Sequence, residues 1–290
     1  MSGFLTYHTV NTTSSENAAI LKNPEVVYKV TYFQYSHLGA IPRDILAYSG
    51  LKWENHKILA GDDWKDRAVS PFHCLPYIEV KLQSDPSKSV MLSESLNIDP
   101  FLAGKAGLLG DNEWEEAVIR SIYTNIICLR EAFYQNVAVG PSFEGKVAAG
   151  EVYAKTTLVK WMAAIEFHLQ ENARQNPGGY LFGKKISLAD IALDNTIDII
   201  SQYPEELGKP TLEAIAKSPA ICKVIELVDS EPRLQAWRQS DEYTTIVYDS
   251  WIRNGTRHGN PAKKDIPFVK AATPAGNRAL LVKYGILRRN

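Results

Sequence analysis

Apolar and polar positions alternate in short bursts along the first hundred residues. From Val26 to Tyr32 the Val, Tyr and Thr residues favour extended backbone and predict a strand. A helix follows over Ile41 to Tyr48: Pro42 suits a first turn, Ile41, Ile45 and Leu46 share one face, and Gly50 supplies a C-terminal stop. Trp53 to Leu59 reads as a second strand. Ile78, Val80 and Leu82 then alternate with Glu79 and Lys81, the pattern of a half-buried strand. Ser84-Asp85-Pro86-Ser87 turns the chain into a short strand, Ser89 to Leu92, and a helix begins near Glu94.

Beyond about Asn112 the spacing changes from two to about 3.6 residues. Glu113 to Asn136 predicts a long helix, with Ile119, Ile122, Tyr123, Ile126, Ile127 and Cys128 at helical spacing. A second runs from about Gly150 to Asn172 with Trp161, Ile165 and Leu169 in register, and Pro177-Gly178-Gly179 breaks it. Ser187 with Asp190 reads as a capping box, with Ile186 as its staple, and starts a helix from Leu188 to Ser201 that is apolar on several sides and so central. Pro219 and Pro232 punctuate the last helices, which end near Ser240. The expected division is an N-terminal extension (1–25), a domain of order βαβ, ββ, α (26–106), an all-helical domain (111–240) and a C-terminal extension (241–290). The order βαβ, ββ, α is that of a thioredoxin-like domain, so the expected fold class is α+β/α.

Composition narrows the function classes. The 290 residues suffice for a substantial core in one or two domains. A formal net charge of -1 sets up no global field for nucleic acid or a membrane surface. Cys74, Cys128 and Cys222 are odd in number and scattered, which argues against a disulfide framework and for a reducing compartment. No stretch approaches the ~20 apolar residues of a membrane span, and the first 25 residues lack a signal-peptide pattern, so a cytoplasmic protein is expected. The histidines show no metal-ligand spacing, and no phosphate-binding glycine loop follows a strand. The last 50 residues carry nine basic residues against four acidic ones, interleaved with Tyr243, Tyr248, Trp251, Phe268 and Tyr284. They read as a tail that wraps its own protein or a sister subunit, with an anionic partner as the other reading.

Three pieces carry candidate chemistry: Tyr32 at the end of the first strand, Leu75-Pro76 before the third, and Glu94-Ser95 opening a helix. A proline just before a strand suits a cis turn that bares the preceding backbone, so Leu75 can pair with a peptide as an added strand would. Glu94 offers a seat to an ammonium, and Ser95 with the helix N-terminus offers one to a carboxylate. A phenol can donate to sulfur. A free thiol has a pKa near ~8.5, and a donor that lowers it by ~2 units contributes about 2.7 kcal/mol and makes the thiolate predominate. Such a set fits a small thiol peptide. Each piece also has a plainer role: Tyr32 as a strand-end aromatic, Pro76 as an ordinary turn residue, Glu94 and Ser95 as a cap only, and Cys74 as buried filler beside the turn.

Tyr32-Phe33-Gln34-Tyr35-Ser36-His37-Leu38-Gly39-Ala40-Ile41-Pro42-Arg43, with Leu46-Ala47-Tyr48 and Gly50, resembles the opening of a glutathione S-transferase of the tyrosine-using, sigma-like branch. Leu75-Pro76, Glu94-Ser95-Leu96-Asn97-Ile98 and Ser187-Leu188-Ala189-Asp190-Ile191-Ala192 are similar to further elements of that family, over roughly Val26 to Ser240. The resemblance implies a cytosolic, detoxifying homodimer that joins glutathione, a co-substrate, to hydrophobic electrophiles without a cofactor or metal, and also reduces organic peroxides. It implies Tyr32 as the catalytic donor, with Tyr35 as its substitute. Trp64, Arg67 (or Lys65), Leu75, Pro76, Glu94 and Ser95 would bind glutathione. Tyr35, His37, Leu38, Arg130, Phe133 and Tyr134 would line the acceptor pocket. The chain departs from the branch at His37-Leu38, where Gly-Arg is usual, at Asp99-Pro100, where Ala-Arg is usual, and at Cys128, where an acid is usual; the acidic cluster of some members is also missing. These departures speak against prostaglandin isomerase activity and keep open a non-catalytic binding protein, with a Cys74-based thiol reductase as a third reading.

Overall fold

The computed structural model describes residues 14–59, 69–262 and 273–288, and the chain divides after Ala106 into two compact units. The first described element is helix α1 (Ser14–Lys22), within the N-terminal extension. Ala18, Ala19 and Ile20 supply helix formers and an apolar anchor: Ile20 is buried, and Lys105 Nζ donates to the Leu21 carbonyl at 2.6 Å, satisfying one of the carbonyls left open at the helix end.

Strand β1 (Val26–Phe33) is followed by α2 (Ala40–Ser49), β2 (Trp53–Ile58), β3 (Tyr77–Leu82), β4 (Ser89–Ser93) and α3 (Ser95–Lys105). The sheet order is β2-β1-β3-β4, with β1 and β2 parallel and the other pairs antiparallel. A parallel pair needs a crossover, and α2 supplies it. Gly50 ends α2 in the left-handed region at φ 70°, as a C-terminal glycine should. β1 lies between β2 and β3, and its Val26, Tyr28, Val30 and Tyr32 are all buried. Ile78 and Val80 are buried in β3 as the alternation predicts, whereas Leu82 is only half-buried at the strand's end. Pro100, which cannot donate to the carbonyl four residues back, sits buried inside α3.

The second unit is helical: α4 (Glu113–Phe133), α5 (Phe143–Tyr153), α6 (Val159–Gln175), α7 (Leu188–Ser201), α8 (Glu205–Ile215), α9 (Pro219–Asp229), α10 (Pro232–Arg238), α11 (Asp241–His258) and α12 (Ala279–Lys283). α4 runs on through a wide π turn, Tyr134–Ala138, and another, Ala154–Leu158, joins α5 to α6. The second long helix thus begins at Phe143 rather than near Gly150, because Ser142 caps it by accepting from the Gly145 N–H at 3.1 Å. Two glycines masked that start. Gly150 is there for space: a Cβ would lie 3.2 Å from the Leu207 carbonyl oxygen of α8.

Every residue of α7 is buried. Its capping box is complete, and Ile186 is buried beside it. Asp190, Asp194 and Asp198, four residues apart, form an acidic stripe along one face of this otherwise apolar helix. The C-terminal segment folds back onto that stripe. Arg278 Nη2 meets Asp194 Oδ1, its Nη1 donates to Asp229 Oδ1 at 2.8 Å, and its Nε lies 3.4 Å from Asp198 Oδ1. Arg238 of α10 donates to the other Asp194 oxygen at 2.6 Å. Asn277 donates to the Arg238 carbonyl at 2.8 Å, Tyr284 donates to Glu205 at 2.7 Å, and Lys283 pairs with the same Glu205. Leu280, Leu281, Ile286 and Leu287 are buried. Two of the tail's basic residues, Arg278 and Lys283, are thus paired with acids of the same unit. Lys263, Lys264, Lys270 and Arg289 lie outside the described residues.

Candidate active site

The strand register assembles the site. Thr31 of β1 stands opposite Tyr77 of β3, and Tyr77 opposite Ser93 of β4. One step further along, Tyr32, Pro76 and Glu94 fall in a row across the same end of the sheet. Adjacent strands lie ~4.8 Å apart, so the Tyr32 and Glu94 backbones are ~10 Å apart, about the reach of an extended γ-glutamyl-cysteinyl unit. Leu75-Pro76 is a cis peptide bond. Leu75 is half-buried at the mouth of this row, and Pro76 is buried.

Glu94 is exposed and adopts φ 70°, ψ 116° as the N-cap of α3. A non-glycine residue there is strained, the kind of backbone that clusters at binding sites. Ser95 opens the helix, half-buried, where the first N–H groups lack intrahelical partners. The Cys74 thiol donates to Glu94 Oε1 at 3.2 Å. Burial first, then the Glu94 carboxylate, raises the Cys74 pKa, which keeps it a thiol and works against the thiol-reductase reading. A buried pair of hydroxyls, Ser70 and Ser93 at 2.9 Å, ties the preceding turn to the end of β4.

Tyr32 is 3% exposed. Phe33 and Tyr35 meet its ring edge-on at centroid distances of 5.4 and 5.6 Å, and Phe33 and Tyr35 stack on each other at 5.0 Å. The Arg43 guanidinium of α2 lies 5.7 Å from the Tyr32 centroid. Its three donor groups reach the carbonyl of Phe33 at 2.8 Å, that of Tyr35 at 2.9 Å, and Asn55 Oδ1 at 2.9 Å. Arg43 carried no role in the sequence reading, because nothing in its helical spacing distinguishes it from a surface arginine.

Comparisons with known proteins point in one direction. A family model described as glutathione S-transferase, C-terminal domain, matches residues 129–241. Probable glutathione S-transferase 5 of Caenorhabditis elegans is 29% identical over 216 residues, covering 71% of this chain and 98% of that protein. The chain is thus similar to glutathione S-transferases. Hematopoietic prostaglandin D synthase of Gallus gallus is 27% identical over 220 residues, covering 76% of this chain and 98% of its own. Among solved structures, the Pi-class glutathione S-transferase of Onchocerca volvulus superposes with a TM-score of 0.60 at 22% identity, over 76% of this chain and 95% of that one, a likeness of fold.

The remaining candidate residues divide sharply. His37 sits in a single turn of 3₁₀ helix, His37–Gly39, at φ 42°, left-handed for a non-glycine residue, and Leu38 follows it half-buried. In the helical unit the structure corrects one assignment. Phe133 is 1% exposed and packs edge-on against Tyr153 and Tyr203, so it belongs to that unit's interior and forms no pocket wall. Arg130 is buried beside it. Tyr134, half-buried where α4 widens into its π turn, is the one of the three with a partly open side chain. Trp64, Lys65 and Arg67 lie outside the described residues.

Proposed function

We propose that this protein activates glutathione at Tyr32 and joins it to hydrophobic electrophiles, in the manner of the tyrosine-using, sigma-like branch. The row Tyr32–Pro76–Glu94 across one end of the sheet carries the reading. In it the Leu75 backbone pairs with the cysteinyl unit as an added strand. Glu94 receives the γ-glutamyl ammonium, displacing the Cys74 thiol, and Ser95 with the α3 N-terminus receives the carboxylate. Trp64, with Arg67 or Lys65, takes the glycyl end.

Tyr32 acts as a hydrogen-bond donor and not as a base. Its phenol stabilises the thiolate while the thiol proton leaves to solvent. The sulfur lone pair then forms the new S–C bond, and the leaving group departs with the electron pair of its bond to carbon. Tyr35, His37 and Leu38, which follow Tyr32, are assigned to the acceptor side. Reduction of organic peroxides, a homodimeric assembly and a cytoplasmic location complete the reading.

Tyr32→Phe is expected to cut turnover of chloro-dinitrobenzene by about 10- to 100-fold, the span of a one- to two-unit rise in the thiol pKa. Retention on immobilised glutathione should persist. Unchanged turnover removes Tyr32 from the mechanism. The second reading, a binding protein without turnover, draws on the Cys74 thiol that already occupies the Glu94 carboxylate. Retention without conjugation in the unaltered protein would select it.

A further inference from the structure

Gly39 does not need to be glycine for its backbone, which lies at φ -85°, ψ -7°, open to any residue. It needs to be glycine for space. A Cβ there would lie 2.4 Å from Tyr32 Cδ1, 2.8 Å from Tyr32 Cγ and 2.9 Å from Arg43 Nη1. The first two contacts are with a ring that Phe33 and Tyr35 already hold edge-on, so a small shift cannot relieve them. The missing methyl is what lets the Tyr32 ring and the Arg43 guanidinium occupy neighbouring space.

Arg43 in turn is 1% exposed, and its fork holds the carbonyls of Phe33 and Tyr35 together with the Asn55 side chain. One cation therefore fixes the chain on leaving Tyr32 and stands within the range of a cation–π contact with its ring. A positive charge held at a phenol favours the electron-rich ring and makes its hydroxyl a stronger donor. It also favours any anion that the hydroxyl binds.

We propose that Arg43 is a positioning residue for Tyr32, made possible by Gly39: it locks the phenol at the sulfur end of the site and strengthens its hydrogen bond to the thiolate. The inference rests on the assignment of Tyr32 above. Arg43 touches neither substrate nor sulfur in this account. Its effect should appear in the ionisation of bound glutathione, and the affinity for glutathione should hold.

The test uses the full-length protein at one fixed pH, with three readouts: kcat, KM for glutathione, and the ultraviolet absorbance of the bound thiolate. Arg43→Met is expected to lower kcat and the thiolate-to-thiol ratio by about tenfold, the effect of one pKa unit, with KM for glutathione within about twofold. Arg43→Lys, which keeps the charge without the fork, should recover part of the thiolate signal. Gly39→Ala should reproduce the loss by displacing the ring, and it carries the test alone if Arg43→Met does not fold. A folded Arg43→Met or Gly39→Ala protein with the thiolate signal of the parent overturns the proposal. So does a loss in which KM rises as much as kcat falls and Lys recovers nothing, because that is the mark of a merely structural arginine. If Tyr32→Phe itself leaves thiolate and turnover intact, the Tyr32 assignment has failed and this inference goes with it. A loss in Tyr32→Phe without one in the other variants sinks this inference alone.

Discussion

Arg278→Met is expected to lower the unfolding free energy by about 3–5 kcal/mol, the usual cost of removing one partner from a buried ion pair. Arg278 is 2% exposed in its side chain, as against 0% for Asp194 and 8% for Asp198. Burial alone would pull the guanidinium's pKa down; the carboxylates of Asp194, Asp198 and Asp229 more than offset it and hold it charged. Arg278 also sits at φ 63°, a left-handed conformation that a non-glycine residue keeps only when its surroundings dictate it.

Three partners limit the damage: Arg238 still serves Asp194, and Tyr243 and Gln202 still donate to Asp198 at 3.0 and 2.9 Å. The deficit should grow with pH. Burial already raises the Asp198 pKa, with Arg278 opposing it, so removing Arg278 raises it further. A carboxyl whose folded pKa lies above its unfolded value costs stability as pH rises through that interval. Urea unfolding at pH 5 and pH 8 reads both effects, and a loss under about 1 kcal/mol at either pH would mean that the tail is not docked as described.

How far the sequence reveals this fold depends on the range of the interactions. Strand alternation in Ile78 and Val80, the helical face of Ile41, Ile45 and Leu46, and the Ser187–Asp190 cap are local patterns, and the structure repeats them. Tyr32, Leu75-Pro76 and Glu94-Ser95 were legible as pieces, but their alignment in one row is a property of strand register, which no single piece encodes. The Arg278–Asp194 pair joins positions 84 residues apart. Its only trace in the sequence is three aspartates at four-residue spacing in a helix too apolar to be a solvent-facing one. Phe133 illustrates the opposite error: a helix-end aromatic reads equally well as pocket or core, and only the neighbouring Tyr153 and Tyr203 decide. Gly39 passed unremarked because what it accommodates, the Tyr32 ring, lies seven residues back.

Asp190→Ala is the second large loss, about 3–5 kcal/mol, with the native fold retained at low denaturant. Asp190 is fully buried, and its carboxylate accepts from the Leu181 N–H at 2.8 Å, the Ser187 N–H at 2.8 Å and the Ser187 hydroxyl at 2.6 Å. Alanine leaves two buried N–H donors unmet, at about 1–3 kcal/mol each, and removes half of the capping box. Asp190→Asn should cost less, since its amide oxygen can still serve Leu181.

The two variants also separate by pH. Burial pushes the Asp190 carboxyl up to about 6 from its ordinary 3.8, against the pull of its three donors. The protonated form is accommodated because the Ser187 hydroxyl can turn from donor to acceptor. With the folded pKa above the unfolded one, the stabilisation is complete below pH 3.8 and is lost as pH rises to 6, a change of about 3 kcal/mol. An asparagine at this position does not titrate. The stability gap between the parent and Asp190→Asn should therefore narrow by up to that amount between pH 4 and pH 7. A gap that stays constant, or widens, would show that the three donors win and that Asp190 is ionised throughout.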